Sequence, residues 1–281
     1  MSTIPVFRND KLFRVSFQVI TFVVILTVGL LSSQAAEGNE IVTDRPDQTE
    51  SSSSVKPGVV QLEVGWGYTF DKSATGFVRT NEFPQTLVRI GAVDGFEIRL
   101  IWNGQIWENP SRSKDDSFNG IGDAAVGGKL ELWPEKGSRP EAALLFGFSL
   151  PIGDNQFTSG KINPSARMSF ANELTNILSL GYNFGFTSVS METLPGQSQT
   201  DYYGQYTIAL EARLSDKIGA FVELFGDIRI DDSDLPQHSA DGGLTFLVKE
   251  NIQFDLAGGF GISSSSSDWI LLSGISIRFP D

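Results

Sequence analysis

From Val60 the chain alternates without a break: Val60, Leu62, Val64, Trp66, Tyr68 and Phe70 share one parity, while Gln61, Glu63, Gly65, Gly67 and Thr69 share the other. A period of two puts alternate side chains on opposite faces of an extended chain, so the segment is a strand and not a helix. One such strand fits either a soluble sandwich, which buries its apolar face against a second sheet, or a membrane wall with lipid on one side and water on the other. Repetition separates the two. Segments of about ten residues, the length a tilted strand needs to cross the hydrocarbon, recur at 59–70, 83–91, 96–103, 120–133, 141–150, 164–173, 177–187, 202–213, 218–229, 239–248, 252–262 and 268–279. Two are weak as strands, because 83–91 contains Pro84 and 164–173 is rich in polar and small residues.

The intervals between these segments alternate in length, with 71–82, 104–119, 151–163, 188–201 and 230–238 long, 92–95, 174–176, 214–217 and 249–251 short, 134–140 shorter than its long neighbours and 263–267 modest. Outer-membrane barrels have short periplasmic turns and longer outer loops. An even strand count returns both ends of the chain to the same side, and only closure leaves no unpaired sheet edge in lipid. The expectation is an all-β fold, an antiparallel transmembrane β-barrel of about twelve strands, whose lipid face includes Phe146, Phe148, Phe184, Phe186, Phe254 and Phe260.

The barrel should be preceded by an export signal. Arg8, Lys11 and Arg14 come before an apolar stretch from Val15 to Leu31, which ends in Ser32, Ser33, Gln34, Ala35 and Ala36. That order reads as a signal peptide over 1–35, with small residues at the positions a peptidase reads. An uncleaved anchor is the rival, since seventeen residues nearly span a bilayer. Next come a polar segment, 36–58, and the barrel, 59–281. The polar segment either folds into the lumen as a plug, with Arg45 pairing to inward carboxylates, or hangs in the periplasm.

Composition then removes chemistry. Cysteine is absent, so disulfides and thiolate or zinc–cysteine sites are excluded. Loss of residues 1–35 takes three basic residues and Asp10 from a chain with 21 basic and 34 acidic residues, leaving 18 against 33, a net charge of −15. Such a surface repels nucleic acid. A single histidine, His238, leaves little general-base or metal chemistry. His238 beside Ser239 invites a lipid-hydrolase reading, but adjacent strand residues point to opposite faces. The loop acids Asp231, Asp232 and Asp234 lack the spacing and bidentate glutamate of a calcium loop. The expectation is a protein that is not an enzyme and carries no cofactor or metal.

Several strings look familiar together: Thr43-Asp44-Arg45-Pro46-Asp47, Gln61-Leu62-Glu63, Leu87-Val88-Arg89-Ile90-Gly91, Phe96-Glu97-Ile98-Arg99-Leu100, Gly120-Ile121-Gly122-Asp123, Pro151-Ile152-Gly153, Phe221-Val222-Glu223-Leu224 and Ile277-Arg278-Phe279. In order and spacing they resemble the outer-membrane family named for the meta-pathway of phenol degradation, over nearly all of the mature chain. The resemblance implies a bacterial outer-membrane channel or transporter for small hydrophobic or aromatic solutes. It supplies no binding residue at any position.

The partners expected are outer-membrane lipid, the barrel-assembly machinery, for which the near-terminal Phe279 is the candidate signal, and a small-molecule solute. Twelve strands fall between a filled eight-stranded interior and an open sixteen-stranded pore, so the passage should be narrow. The alternative is a structural or surface-interaction barrel with a sealed lumen.

The candidate lumen-lining residues are Glu63, Arg89, Glu97, Arg99, Asp123, Lys129, Glu131, Arg167, Glu223, Asp241 and Arg278, all on the inward parity. A charge facing lipid at mid-depth costs roughly 2–4 kcal/mol, which forces them inward. They form either a selectivity lining or an ion-pair lattice that stiffens the lumen, and mixed signs favour the lattice. Parity also fixes a hairpin. A plain two-residue turn at Asp94-Gly95 would set lipid-facing Ile90 across from lumen-facing Arg99, so an odd loop, Val93-Asp94-Gly95, is required, with Gly95 left-handed. Arg89 then faces Arg99 with Glu97 on the diagonal. Barrel closure suggests a cluster in which Glu97 and Glu63 hold Arg89, Arg99 and Arg278 near the periplasmic end.

Overall fold

The structure, a computed structural model, describes residues 40–73, 76–110, 117–194, 197–230 and 235–280. The signal peptide expected over 1–35 and the acids Asp231, Asp232 and Asp234 lie outside the described residues. Fourteen strands are present among the described residues: β1 (Val60–Ser73), β2 (Gly76–Val93), β3 (Phe96–Trp102), β4 (Gln105–Pro110), β5 (Phe118–Ile121), β6 (Ala124–Trp133), β7 (Glu141–Leu150), β8 (Asn163–Thr175), β9 (Leu178–Leu194), β10 (Gln197–Ser215), β11 (Ile218–Arg229), β12 (Gln237–Lys249), β13 (Ile252–Gly261) and β14 (Trp269–Phe279).

Every pairing is antiparallel, and β1 pairs with both β2 and β14, so the sheet closes on itself. β3 and β4 both lie against β2 and are parted only by Asn103-Gly104, while Gly122-Asp123 parts β5 from β6. Each of these pairs is one interrupted wall span, which makes a closed barrel of twelve spans. No helix among the described residues is long and apolar enough to cross a membrane.

The distribution of side chains is inside out relative to a soluble protein. The largest fully buried side chains are Arg89, Lys129, Gln61, Glu63, Glu97 and Asn183, whereas Phe148, Phe184, Leu256, Phe260 and Trp269 are 49–59% exposed. Bulky apolar groups outside and paired charges within are what a wall between hydrocarbon and a wet lumen requires.

Three features differ from the sequence reading. First, two intervals expected as long loops are strand. Ser73 pairs with Gly76, and Leu194 with Gln197, so 71–82 and 188–201 are mostly extensions of β1–β2 and β9–β10. The reason is that alternation is imposed by lipid. Beyond the hydrocarbon both faces are wet, polar residues fill both parities, and the ladder continues unseen because it still satisfies backbone groups. Second, the segments expected at 96–103 and 120–133 are broken or extended at Asn103-Gly104 and Gly122-Asp123. β2 is irregular at the same level, where Gly65 pairs with Gln85 and Gly67 with Glu82 around Phe83-Pro84. Pro84 has no amide to donate, so the ladder must slip there.

Third, the β2–β3 hairpin reaches its odd count differently. Arg89 pairs with Arg99, Ile90 with Ile98 and Gly91 with Glu97, then Val93 with Phe96, leaving Ala92 without a partner. Asp94-Gly95 is therefore a two-residue turn, with Gly95 at φ 73°, and the extra residue is a bulge rather than part of the loop. Either device keeps Arg89 and Arg99 facing the lumen.

Candidate functional site in the lumen

The inner surface of the barrel is met by residues 40–58, which run around the inside before entering β1. The segment starts at the periplasmic end, where the Ile41 amide donates to the Glu250 carbonyl at 2.9 Å and Gln253 donates to Thr43 Oγ1 at 2.8 Å. It crosses to the opposite wall, where Gln48 N donates to Glu223 at 2.8 Å and Glu50 N to Asn183 at 2.7 Å. It returns along β7, β6 and β3. There Ser52 contacts Glu141, Ser54 N donates to Glu131 at 2.6 Å and Val55 N to Glu97 at 2.8 Å.

Wall glycines make room for it. A Cβ on Gly91 would sit 1.9 Å from the Lys56 carbonyl oxygen, and one on Gly65 2.0 Å from the Arg45 guanidinium. Gly65 pairs with Gly274. The Arg45 side chain lies across that slot, donating to Gln85 at 3.2 Å and to the Ser273 carbonyl at 3.1 Å, with Asp255 at 3.6 Å.

One ion cluster fastens the segment to the β1–β2–β3–β6 wall. Arg89 lies 2.9 Å from Glu97, 3.3 Å from Asp44 and 3.4 Å from Glu63. Arg99 contacts Asp44, and lies 3.0 Å from Glu97 and 2.6 Å from Glu50. Lys129 lies 3.0 Å from Asp44. The wall alone offers three cations against Glu63 and Glu97, and the segment adds Asp44 and Glu50. Burial by itself raises the Asp44 carboxyl, but Arg89, Lys129 and Arg99 together outweigh it and hold Asp44 well below the usual carboxylate range.

Of the candidate residues, Glu63, Arg89, Glu97, Arg99 and Lys129 meet in this cluster. Glu131, Arg167 and Glu223 each bind the segment's backbone, Arg167 through the Gln48 carbonyl at 3.1 Å. Three candidates lie elsewhere, Asp241 among them, across the ladder from Glu223. Asp123 accepts from Gly153 N at 2.9 Å and Ser159 N at 3.0 Å, holding an outer loop. Arg278 pairs with Gln61 in the ladder, one step nearer the barrel mouth than Glu63, and donates to the Glu40 and Glu250 carbonyls at 3.3 and 3.4 Å. Gln61 takes the place assigned to Arg278, donating to Glu63 at 2.9 Å. Asp44 and Glu50 were missed as cluster members. The charge excess of Asp44-Arg45-Pro46-Asp47 was the available signal, but strand parity says nothing about residues before the first strand.

On the far wall the charges do not balance. Glu223 pairs with Asp241 across the ladder, Glu211 with Phe221 one step away, and Asp47 of the segment faces them. Burial first, and then Glu223, Glu211 and Asp241, push the Asp47 carboxyl well above its ordinary value. Glu223 and Asp241 share a side-chain hydrogen bond, and among the described residues neither Asp241 oxygen has any other partner. A cavity of about 670 Å³ lies between the segment and the periplasmic turns, with Asp47, Glu211, Phe221 and Leu247 in its lining. The His238–Ser239 pair is dispersed as parity requires: His238 Nδ1 lies 2.9 Å from the Tyr206 hydroxyl, and Ser239 is buried in the wall.

A family model described as "Putative MetA-pathway of phenol degradation" matches residues 43–279. The chain belongs to this family. The match begins at Thr43, so the lumenal segment is part of what the phenol-degradation family shares. Among solved structures, the COG4313 outer membrane channel from Pseudomonas putida F1 is similar over 85% of this chain and 100% of its own, at TM-score 0.66 and 9% identity. The NanC porin covers 77% of this chain and 98% of its own at TM-score 0.51 and 10% identity. The translocator domain of the autotransporter NalP from Neisseria meningitidis covers 95% and 97% at TM-score 0.50 and 8% identity. No match is found among curated protein sequences. The family member described here is thus an outer-membrane β-barrel of bacteria, built like channels and porins.

Proposed function

We propose that this barrel passes small solutes, hydrophobic or aromatic ones among them, across the outer membrane without chemical change, and that residues 40–58 gate it. One observation carries the reading: residues 40–58 run through the lumen and are held to its wall by hydrogen bonds and ion pairs rather than by a packed apolar core. Polar contacts of this kind exchange with water at small net cost, so such a closure can open. The family name supports an aromatic solute, and the separation of His238 from Ser239 supports a non-enzymatic role.

Deletion of residues 40–58 should raise single-channel conductance in planar bilayers severalfold over the full mature chain. A sealed structural barrel is the competing reading, and it predicts no discrete steps from either protein. Equal conductance from both would remove the gating role.

A further inference from the structure

Four carboxylates line one side of the lumen without a basic partner. The ladder sets Glu211 opposite Phe221 and, on the next inward row, Glu223 opposite Asp241. Asp47 faces this group from the segment, and Gln48 and Thr49 bind Glu223 from the same side. Among the described residues no ion pair joins any of the four to Lys, Arg or His. Of the segment's two cations, Arg45 is committed to Asp255, Gln85 and the Ser273 carbonyl, and Lys56 lies at its other end, against Gly91. Asp241 is 8% exposed, it shares a side-chain hydrogen bond with Glu223, and among the described residues neither of its oxygens has any other partner. A buried carboxylate group without a counter-charge must take up protons or a cation.

Next to this group is the cavity of about 670 Å³, open toward the turns at 175–177 and 215–217. Its lining brings Asp47 and Glu211 beside Phe221 and Leu247. Glu211 is exposed, it lines that space, and among the described residues its one hydrogen bond is a long one from Ser179, at 3.4 Å. The acids are spread along two ladder rows, and among the described residues no group of three or more could hold a metal ion. The lining carries Arg45, Arg213 and Lys217 but more acids than bases, and an acidic excess beside Phe221 and Leu247 suits a cation with an apolar body.

We propose that this cavity is a binding site for small aromatic or alkyl ammonium ions, with the ammonium among Asp47, Glu211 and the acids behind them and the apolar body against Phe221 and Leu247. The proposal deepens the channel reading by naming a solute class, and it rests on that reading for its purpose. Its test needs no flux.

Ligand-observed NMR on the refolded mature barrel in zwitterionic micelles would compare benzylammonium, benzyl alcohol and benzoate, which share a shape and differ in charge. Benzylammonium should bind about tenfold more tightly than the alcohol, and benzoate more weakly than either. Glu211→Gln, which removes only the long Ser179 contact, should weaken benzylammonium by about fivefold and leave the alcohol unchanged. Asp94→Asn in the exposed β2–β3 turn should change neither. Equal affinity for the alcohol, or indifference to Glu211→Gln, would overturn the proposal and leave protons as the neutralising partner. Potassium or methylammonium displacing the ligand as well as benzylammonium itself would also overturn it, in favour of an inorganic counter-ion. Loss of conductance steps with this binding pattern intact would instead count against the channel reading alone.

Discussion

Asp44 is the residue on which the segment's attachment turns. It reaches Arg89, Arg99 and Lys129, and its side chain is 1% exposed. Removing one member of a buried ion network leaves the others uncompensated, at a cost of about 3–5 kcal/mol. Asp44→Asn should therefore release residues 40–58 and raise conductance toward that of the deletion, while Asp94→Asn should not. Conductance equal to the parent protein would show that the glycine slots and backbone hydrogen bonds suffice.

The two aspartates of the motif should also respond oppositely to pH. Asp44 has a lowered carboxyl, so its contribution is complete above the ordinary carboxylate range, near 3.9, and is lost only as pH falls through the lowered value. Asp47 has a raised carboxyl, so docking is favoured while it stays protonated and is penalised as pH rises from that ordinary range through the raised value. Cleavage after Glu50 by a glutamate-specific protease should accordingly quicken with rising pH beyond the protease's own profile. Asp47→Asn should remove that excess, and an unchanged excess would detach Asp47 from it.

At the scale of elements, the wall's irregularities are placed where the segment or an outer loop needs them. Gly91 ends the regular part of β2, accepts from the Gly58 amide at 3.1 Å and donates to the Val59 carbonyl at 2.9 Å. A methyl group there would meet the Lys56 carbonyl at 1.9 Å, a backbone atom that cannot swing away. Gly91→Ala should free the segment yet leave the barrel closed, read as new cleavage after Glu50 by a glutamate-specific protease with unchanged heat-modifiable gel mobility. Gly204→Ala, whose new atom would meet nothing nearer than 3.8 Å, is the control. Retained protection in Gly91→Ala would mean that β2 shifts to accommodate the methyl group.

At the scale of the molecule, closure between β1 and β14 is what removes the last sheet edge from lipid. Phe279 pairs with Val60 at that seam and is 36% exposed, facing outward. If it is the signal for the assembly machinery, Phe279→Ser should lower outer-membrane yield severalfold, whereas truncation of Asp281 should not. Equal yields would place the signal elsewhere in β14.

The wall was legible in the sequence because lipid enforces a local rule. A charge on the wrong parity costs roughly 2–4 kcal/mol, so Glu63, Arg89, Glu97, Arg99 and Lys129 could be assigned inward from their neighbours alone. The same rule is silent where no lipid touches the strand. It missed the extensions of β1–β2 and β9–β10, and it missed the breaks at Asn103-Gly104 and Gly122-Asp123. Parity also gives a face and not a height, which is why Arg278 was placed beside Glu63 although it sits one ladder step beyond, with Gln61 between. The partners inside the lumen were decided by the tertiary structure. Asp44 meets Lys129, 85 positions away, and Thr49 meets Glu223, 174 positions away, only because the barrel closes and residues 40–58 fold back into it. Local hydrophobic pattern fixed which side of the wall each residue faces, and chain closure at long range fixed which opposite charge waits there.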